Sequence, residues 1–153
     1  MTGSFFDVAA SVTLVRATFD DNHLLIPYAP SVVTRLDGAV FSELPIAFDG
    51  KHLVGSLGFG LSYVGKRPLP ENERSNEIAT IAAAADARYG AVRFGLSCTN
   101  LTDRVYRLSE YNYASDFHSQ PYPTRVAARH FIAGEPRAVY ATLTFTFGKA
   151  EGS

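Results

Sequence analysis

The sequence lacks tryptophan and has one methionine and one cysteine among its 153 residues. Because Cys98 is alone, the chain cannot form an internal disulfide bond or a zinc site built from several cysteines. No apolar run approaches the roughly 20 residues that a helix needs to span a bilayer. Residues 1–6 lack the basic start and apolar core of a signal peptide. These absences exclude a disulfide-stapled domain and a helical membrane protein.

Charged residues are also scarce, and neither sign dominates. They make up 19% of the chain, and 14 basic against 15 acidic side chains leave a net charge of -1. Since nucleic-acid-binding proteins carry basic patches, this balance gives no reason to expect a nucleic-acid partner. The polar positions are instead rich in Gly, Ser, Thr and Asn.

Residues 137–147 alternate between apolar and polar side chains, which predicts a β-strand. The apolar positions are Val139, Ala141, Leu143, Phe145 and Phe147, and the hydroxyl-bearing positions are Tyr140, Thr142, Thr144 and Thr146. Successive side chains of a strand project to opposite faces. An apolar face backed by a hydroxyl-lined face is typical of a strand between lipid and a wet lumen. An edge strand of a soluble sandwich alternates in a similar way.

The same periodicity predicts five further strands, at residues 6–18, 31–41, 53–65, 78–88 and 91–100. The alanine-rich residues 79–87 also suit a helix by propensity.

Short and long connections alternate between these strands. Asp49-Gly50 and Tyr89-Gly90 predict tight turns. The long connections are residues 20–30, 66–76 and 101–136. Long loops at one end and short turns at the other are typical of a transmembrane up-and-down barrel. The sequence therefore predicts an all-β, antiparallel up-and-down sheet of about six strands, part of a transmembrane β-barrel.

Four motifs follow these strands in order. They are Pro-Ser-Val-Val-Thr-Arg at 30–35, Tyr-Val-Gly-Lys-Arg-Pro-Leu-Pro at 63–70, Asn-Leu-Thr-Asp-Arg-Val-Tyr at 100–106 and Gly-Glu-Pro-Arg at 134–137. In this order, and with Phe-Thr-Phe at 145–147, the chain resembles the C-terminal third of the barrel of TonB-dependent outer-membrane receptors. The resemblance covers residues 5–147, and the motifs at 100–106 and 134–137 are the most specific.

The resemblance implies that residues 1–153 are the C-terminal portion of a barrel of about 22 strands in the cell outer membrane. The plug domain and the earlier strands are absent from this sequence, and TonB would act only through that plug. The implied function is TonB-energised uptake of a large scarce ligand, such as a siderophore. The smallest bacterial single-chain barrels have about eight strands, so a fragment or a truncated product that is not functional alone is expected. The implied partners are outer-membrane lipid, lipopolysaccharide and the barrel-assembly machinery.

The connection at residues 101–136 combines aromatic rings with hydrogen-bond donors, which suits capture of a large amphipathic ligand such as a siderophore or a glycan. The candidate ligand contacts are Arg107, Tyr111, Tyr113, Phe117, His118, Tyr122 and Arg125. A loop that packs on itself through these rings is the alternative. In the last strand, the resemblance implies that Tyr140, Phe145 and Phe147 serve as the assembly signal.

Other functional classes find little support in the sequence. His118 and His130 are far apart without a third ligand, so no metal site is predicted. No G-x-S-x-G motif or phosphate-binding glycine loop occurs, so neither an enzyme nor a cofactor is expected. With the long connections facing outside, the arginines near the rim are expected to be solvated rather than bound to lipopolysaccharide. These arginines are Arg16, Arg35, Arg67, Arg104 and Arg107.

Two alternatives to the receptor segment stay open. A soluble β-sandwich acting as a binding module would bury the apolar face as its core, but should carry Lys and Glu on its outward faces. A small complete outer-membrane barrel is disfavoured by the strand count and by the missing export signal.

Overall fold

The computed structural model describes residues 4–48, 51–116 and 125–147, and the chain is all-β over these residues. The strands are β1 (Ser4–Leu14), β2 (Val32–Phe48), β3 (Lys51–Val64), β4 (Ile78–Tyr89), β5 (Val92–Thr99), β6 (Arg107–Asp116), β7 (Arg125–Ala133) and β8 (Ala138–Phe145). A single 3-10 turn, Pro70–Asn72, lies between β3 and β4. No helix in the described ranges is long and apolar enough to span a bilayer.

Six strands form one antiparallel sheet in the order β1-β2-β3-β4-β5-β8. The predicted up-and-down sheet of six strands is therefore confirmed. The alanine-rich residues 79–87 lie within β4, which pairs with β3 along its whole length and with β5 over its second half. Pairing on both sides overrides the helix propensity of alanine.

Two strand ends differ from the prediction by more than two residues. β1 ends at Leu14 rather than at residue 18, because residues 17–26 fold back on themselves through Ile26 N–H donating to Ala17 O and Phe19 N–H to Leu24 O. β2 continues to Phe48 instead of ending at residue 41. A β-bulge between Leu44 and Ala47 absorbs the irregular alternation there. The predicted turn at residues 49–50 lies outside the described residues.

The prediction of a loop over residues 101–136 is wrong in part, because β6 and β7 form an antiparallel hairpin within it. The usual apolar alternation is absent from β6. Its buried positions are Glu110 and Asn112, whereas Tyr111 and Tyr113, which alternate with them, are exposed. A period-two search for apolar residues does not detect a strand whose buried face is polar.

The register of the sheet separates two faces. One face is apolar. None of the residues on this face that align with Leu53 to Tyr63 of β3 is charged. Its large side chains include Val8, Val12, Leu57, Phe59, Leu61, Phe94, Leu96, Val139, Leu143 and Phe145. The other face carries Asp7, Arg35, Asp37, Ser56, Asp86, Arg93, Thr142 and Thr144. The predicted division of side chains between the faces is confirmed.

The apolar face has no covering layer among the described residues. No second sheet packs face to face on the six strands there. Leu57, Leu143 and Val139 are 67%, 58% and 63% exposed, and Leu69 is the one large apolar side chain of the described ranges that is buried. The sheet therefore lacks a hydrophobic core of its own, and its apolar face needs an apolar environment from outside.

Candidate functional site at the long-connection end

Three long connections leave the sheet at the same end, because adjacent strands run in opposite directions. They are residues 15–31 (the first connection), 65–77 (the second) and 100–137 (the third), which holds the β6–β7 hairpin. They are joined to each other: Tyr28 N–H donates to Pro68 O at 2.8 Å, and Arg67 Nη2 donates to Leu108 O at 3.1 Å. This end of the molecule is thus one assembly of loops rather than three independent ones.

Asn100 closes the base of the third connection. Its amide nitrogen donates to Arg104 O at 2.9 Å and to Glu135 O at 3.0 Å, and its Oδ1 accepts from Arg104 N–H at 3.0 Å. The side chain is buried, and the residue has a φ of 46°, a conformation that asparagine tolerates better than most residues. Asn100 therefore caps the turn that follows β5.

Tyr106 and Gly134 form a second contact at this base. Gly134 N–H donates to Tyr106 O at 2.9 Å, and Glu135 N–H donates to the Tyr106 hydroxyl at 3.2 Å. A side chain at position 134 would overlap the Tyr106 ring. The two motifs that are most specific in the sequence, at 100–106 and 134–137, therefore fold against each other.

The other two motifs also meet. Gly65 N–H donates to Val32 O at 2.8 Å, and a Cβ at position 65 would overlap the Val32 side chain. The four motifs thus form two contacting pairs. One pair closes the base of the third connection. The other joins the end of the first connection to the start of the second.

We expect Gly134→Ala to destabilise this base by about 1–3 kcal/mol, the usual cost of overpacking. Gly58→Ala is the matched control, because a Cβ there meets Gly38 O at an ordinary 3.6 Å. Amide hydrogen exchange of residues 100–106 measures the effect. Equal exchange in both variants would show that the glycine contact does not constrain the base.

The hairpin is held on the second connection by a buried carboxylate. The Glu110 side chain is fully buried and lies 3.1 Å from Arg107 Nη1 and 3.5 Å from Arg129 Nη1. Its other oxygen accepts from Asn76 N–H at 2.7 Å. Buried carboxylates require such partners. Glu110 is therefore the central anchor of the hairpin.

Two neighbours on the same face extend this anchor. Asn112 Nδ2 donates to Pro70 O at 3.1 Å. Arg129 Nη2 lies 2.6 Å from a Glu73 carboxylate oxygen and also donates to Arg74 O at 3.2 Å. One face of the hairpin thus binds residues 70–76 through Glu110, Asn112 and Arg129.

At the neck of the second connection, Lys66 Nζ lies 3.6 Å from Glu77 Oε2. The pKa of Glu77 is lowered below its ordinary value by a backbone hydrogen bond at its own residue, and then by the nearby Lys66 ammonium.

The opposite face of the hairpin carries exposed rings. Tyr111 contacts Tyr28 of the first connection, with ring centroids 5.5 Å apart and planes tilted by 54°. Tyr113 stacks on His130 at 4.0 Å. Ser115 Oγ and His130 Nε2 are hydrogen-bonded at 2.8 Å. This face, unlike the charged one, is available for contact with other molecules.

The structure divides the predicted ligand contacts. Tyr111 and Tyr113 lie on the exposed face. Arg107 faces the opposite way, with its guanidinium over the Phe131 ring at 4.7 Å and paired with Glu110, so it supports the hairpin. Arg125 pairs with Asp116 along the backbone. Phe117, His118 and Tyr122 lie outside the described residues.

The sequence did not indicate that Tyr28 borders this surface. It also did not indicate that Glu110, Asn112 and Arg129 hold the hairpin on the second connection. The alternation Glu-Tyr-Asn-Tyr at 110–113 is the signal that separates the two faces once a strand is assumed.

A cleft of about 560 Å³ also opens at this end, between the first and second connections. It is lined mainly by apolar side chains, among them Phe19, Leu24, Leu25 and Leu69. His23, Glu71 and Asn72 on its wall have positive φ angles, which indicates a constrained backbone.

On the polar face of the sheet, two ion pairs each lie over a glycine. Arg35 Nη2 is 2.6 Å from Asp37 Oδ1 above Gly60, and Arg93 Nε is 2.9 Å from Asp86 Oδ1 above Gly95. The glycines leave room for the charged groups to lie flat on the sheet. Arg35 and Asp37 therefore pair with each other on this face.

The predicted assembly residues lie at and near β8. Tyr140 is on the polar face. Phe145 ends the strand on the apolar face and stacks on Phe147, just beyond it, at 6.4 Å. Within the described ranges no group of three or more His, Cys, Asp and Glu side chains could hold a metal ion.

No protein-family model matches the chain, and comparisons with curated proteins and with solved structures give no match. The resemblance to TonB-dependent receptors therefore stays a prediction from the four motifs.

Proposed function

We propose that this chain forms part of the wall of a TonB-dependent receptor barrel in the outer membrane, with the long connections outside the cell. The observation that carries the proposal is that the charged side chains aligned with Leu53 to Tyr63 of β3 all lie on one face of the sheet, while the opposite face is apolar and uncovered among the described residues. Lipid would cover the apolar face, and a water-filled lumen would solvate the charged face.

Two further observations support this proposal. The outer edges of β1 and β8 are unpaired within the described sheet, and unpaired backbone groups in lipid each cost several kcal/mol. In this proposal, further strands therefore pair with both edges and continue the wall. The motifs that carry the family resemblance also contact each other in pairs, which gives their order and spacing in this chain a physical reason.

In this proposal the hairpin contributes to capture of a large ligand before energised uptake. Its charged face fixes it to residues 70–76, and its tyrosine face is turned away from that contact. Uptake itself would depend on a plug domain and its contact with TonB, which the six strands do not provide.

Membrane orientation can be tested in intact cells that produce the protein. With Cys98→Ser as background, Val105→Cys places a thiol in the third connection, where Val105 is 98% exposed. Ala91→Cys places one in the exposed turn between β4 and β5. We expect a membrane-impermeant maleimide to label position 105 in intact cells, and position 91 only after the outer membrane is opened. Equal labelling of both in intact cells would contradict the proposed location.

A further inference from the structure

The two faces of the β6–β7 hairpin differ in charge. The face that binds residues 70–76 holds Glu110, Arg107 and Arg129. By the strand register, the opposite face carries no carboxylate, lysine or arginine among the described side chains. Its members are Ser109, Tyr111, Tyr113, Ser115, Val126, Ala128, His130 and Ile132.

Three tyrosine rings line this uncharged face and its border. Tyr28, Tyr111 and Tyr113 are 40%, 38% and 52% exposed. Tyr111 and Tyr113 are two residues apart on one strand, so their rings start about 7 Å apart. Tyr28 extends the row beyond Tyr111, and the ring centroids of these two tyrosines are 5.5 Å apart. The row of three tyrosines is longer than a single six-membered sugar ring.

Hydrogen-bonding groups lie beside these rings. The Ser115 hydroxyl and the His130 imidazole are hydrogen-bonded at 2.8 Å, and the stacking of His130 on Tyr113 fixes the imidazole against the ring. Hydroxyl groups can both donate and accept. The surface thus combines flat apolar rings with a hydroxyl and an imidazole that form hydrogen bonds.

We propose that this face binds a neutral oligosaccharide. Sugar rings present apolar C–H faces that pack on aromatic rings, and hydroxyls that hydrogen-bond to neutral polar groups. An anionic ligand would need the cationic side chains, but Arg107 and Arg129 are turned to the other face and paired with Glu110. The length of the tyrosine row suits an oligosaccharide rather than a monosaccharide. This inference rests on the proposed function, since it names the ligand class of the same hairpin.

The test uses the full chain in lipid nanodiscs and isothermal titration calorimetry. The probes are the neutral hexasaccharides cellohexaose, maltohexaose, xylohexaose and mannohexaose, with hexagalacturonic acid as the charged comparison. We expect at least one neutral probe to bind more tightly than the charged one. Tyr113→Ala should weaken that binding about 2- to 10-fold, which corresponds to the loss of one aromatic stacking contact.

Two further variants make the test specific. Phe131→Ala removes a ring from the opposite face of the same hairpin and should leave the affinity unchanged. Tyr28→Ala removes a ring that lies outside the hairpin, so it leaves β6 unchanged. It should also weaken binding, which separates the loss of an aromatic contact from any disturbance of β6 by Tyr113→Ala. Absence of binding by all four neutral probes would overturn the inference. Tightest binding to hexagalacturonic acid, or unchanged affinity in both tyrosine variants, would overturn it as well. These results are independent of membrane orientation, which the maleimide experiment tests separately.

Discussion

Replacing Leu143 by arginine is expected to destabilise the membrane-inserted chain by about 2–4 kcal/mol, the cost of placing an arginine on a lipid face near the midplane. Leu143 lies in β8 opposite Phe94 on the apolar face and is 58% exposed. An arginine there would meet hydrocarbon with no partner on that face. Urea titration of the chain refolded into liposomes measures the loss.

The matched control is Thr144→Arg, one residue further along the same strand. Thr144 lies on the polar face, opposite Arg93, and a solvated arginine there should have a far smaller effect. If both variants lose the same stability, the two faces do not meet different environments.

Replacing Glu110 by alanine is expected to release the hairpin from the second connection. The change leaves Asn76 N–H without its acceptor and two arginines without their shared carboxylate. Removing one partner of a buried pair costs about 3–5 kcal/mol. We expect a loss of about 3 kcal/mol in the stability of the docked hairpin. The value lies at the low end because the two arginine side chains are each about a third exposed, so water can partly replace the carboxylate. Hydrogen exchange of the β6 amides should accelerate about 100-fold.

Glu73→Ala provides the comparison, because Glu73 is a second carboxylate partner of Arg129. Its side chain is 54% exposed, and exposed ion pairs contribute at most about 1 kcal/mol. A hairpin that exchanges equally fast in both variants would show that burial of Glu110 does not anchor it.

The sequence predicts the sheet well because the sheet strands have simple faces. In β3 and β8, apolar residues alternate with Ser, Gly and Thr, and the strand register places each set on one face. The same reasoning puts the long connections at one end. It does not establish what the apolar face touches, since lipid and a protein layer select the same side chains.

The hairpin could not be predicted in the same way, because its buried positions are polar. Glu110 and Asn112 are buried only in the presence of residues 70–76, which lie more than 30 positions away. The contact of Tyr28 with Tyr111 spans an even longer separation. Such contacts depend on how three connections are placed relative to one another. The periodicity of apolar and polar residues along the sequence carries no information on that placement.

The absence of native tryptophan permits the most direct test of the central claim, that the apolar face of the sheet contacts lipid. Single tryptophans at each position from 139 to 145, in liposomes with and without brominated lipid, report contact with acyl chains. We expect strong quenching at 139, 141, 143 and 145 and weak quenching at 140, 142 and 144. Uniform quenching along β8, or none at any position, would contradict it.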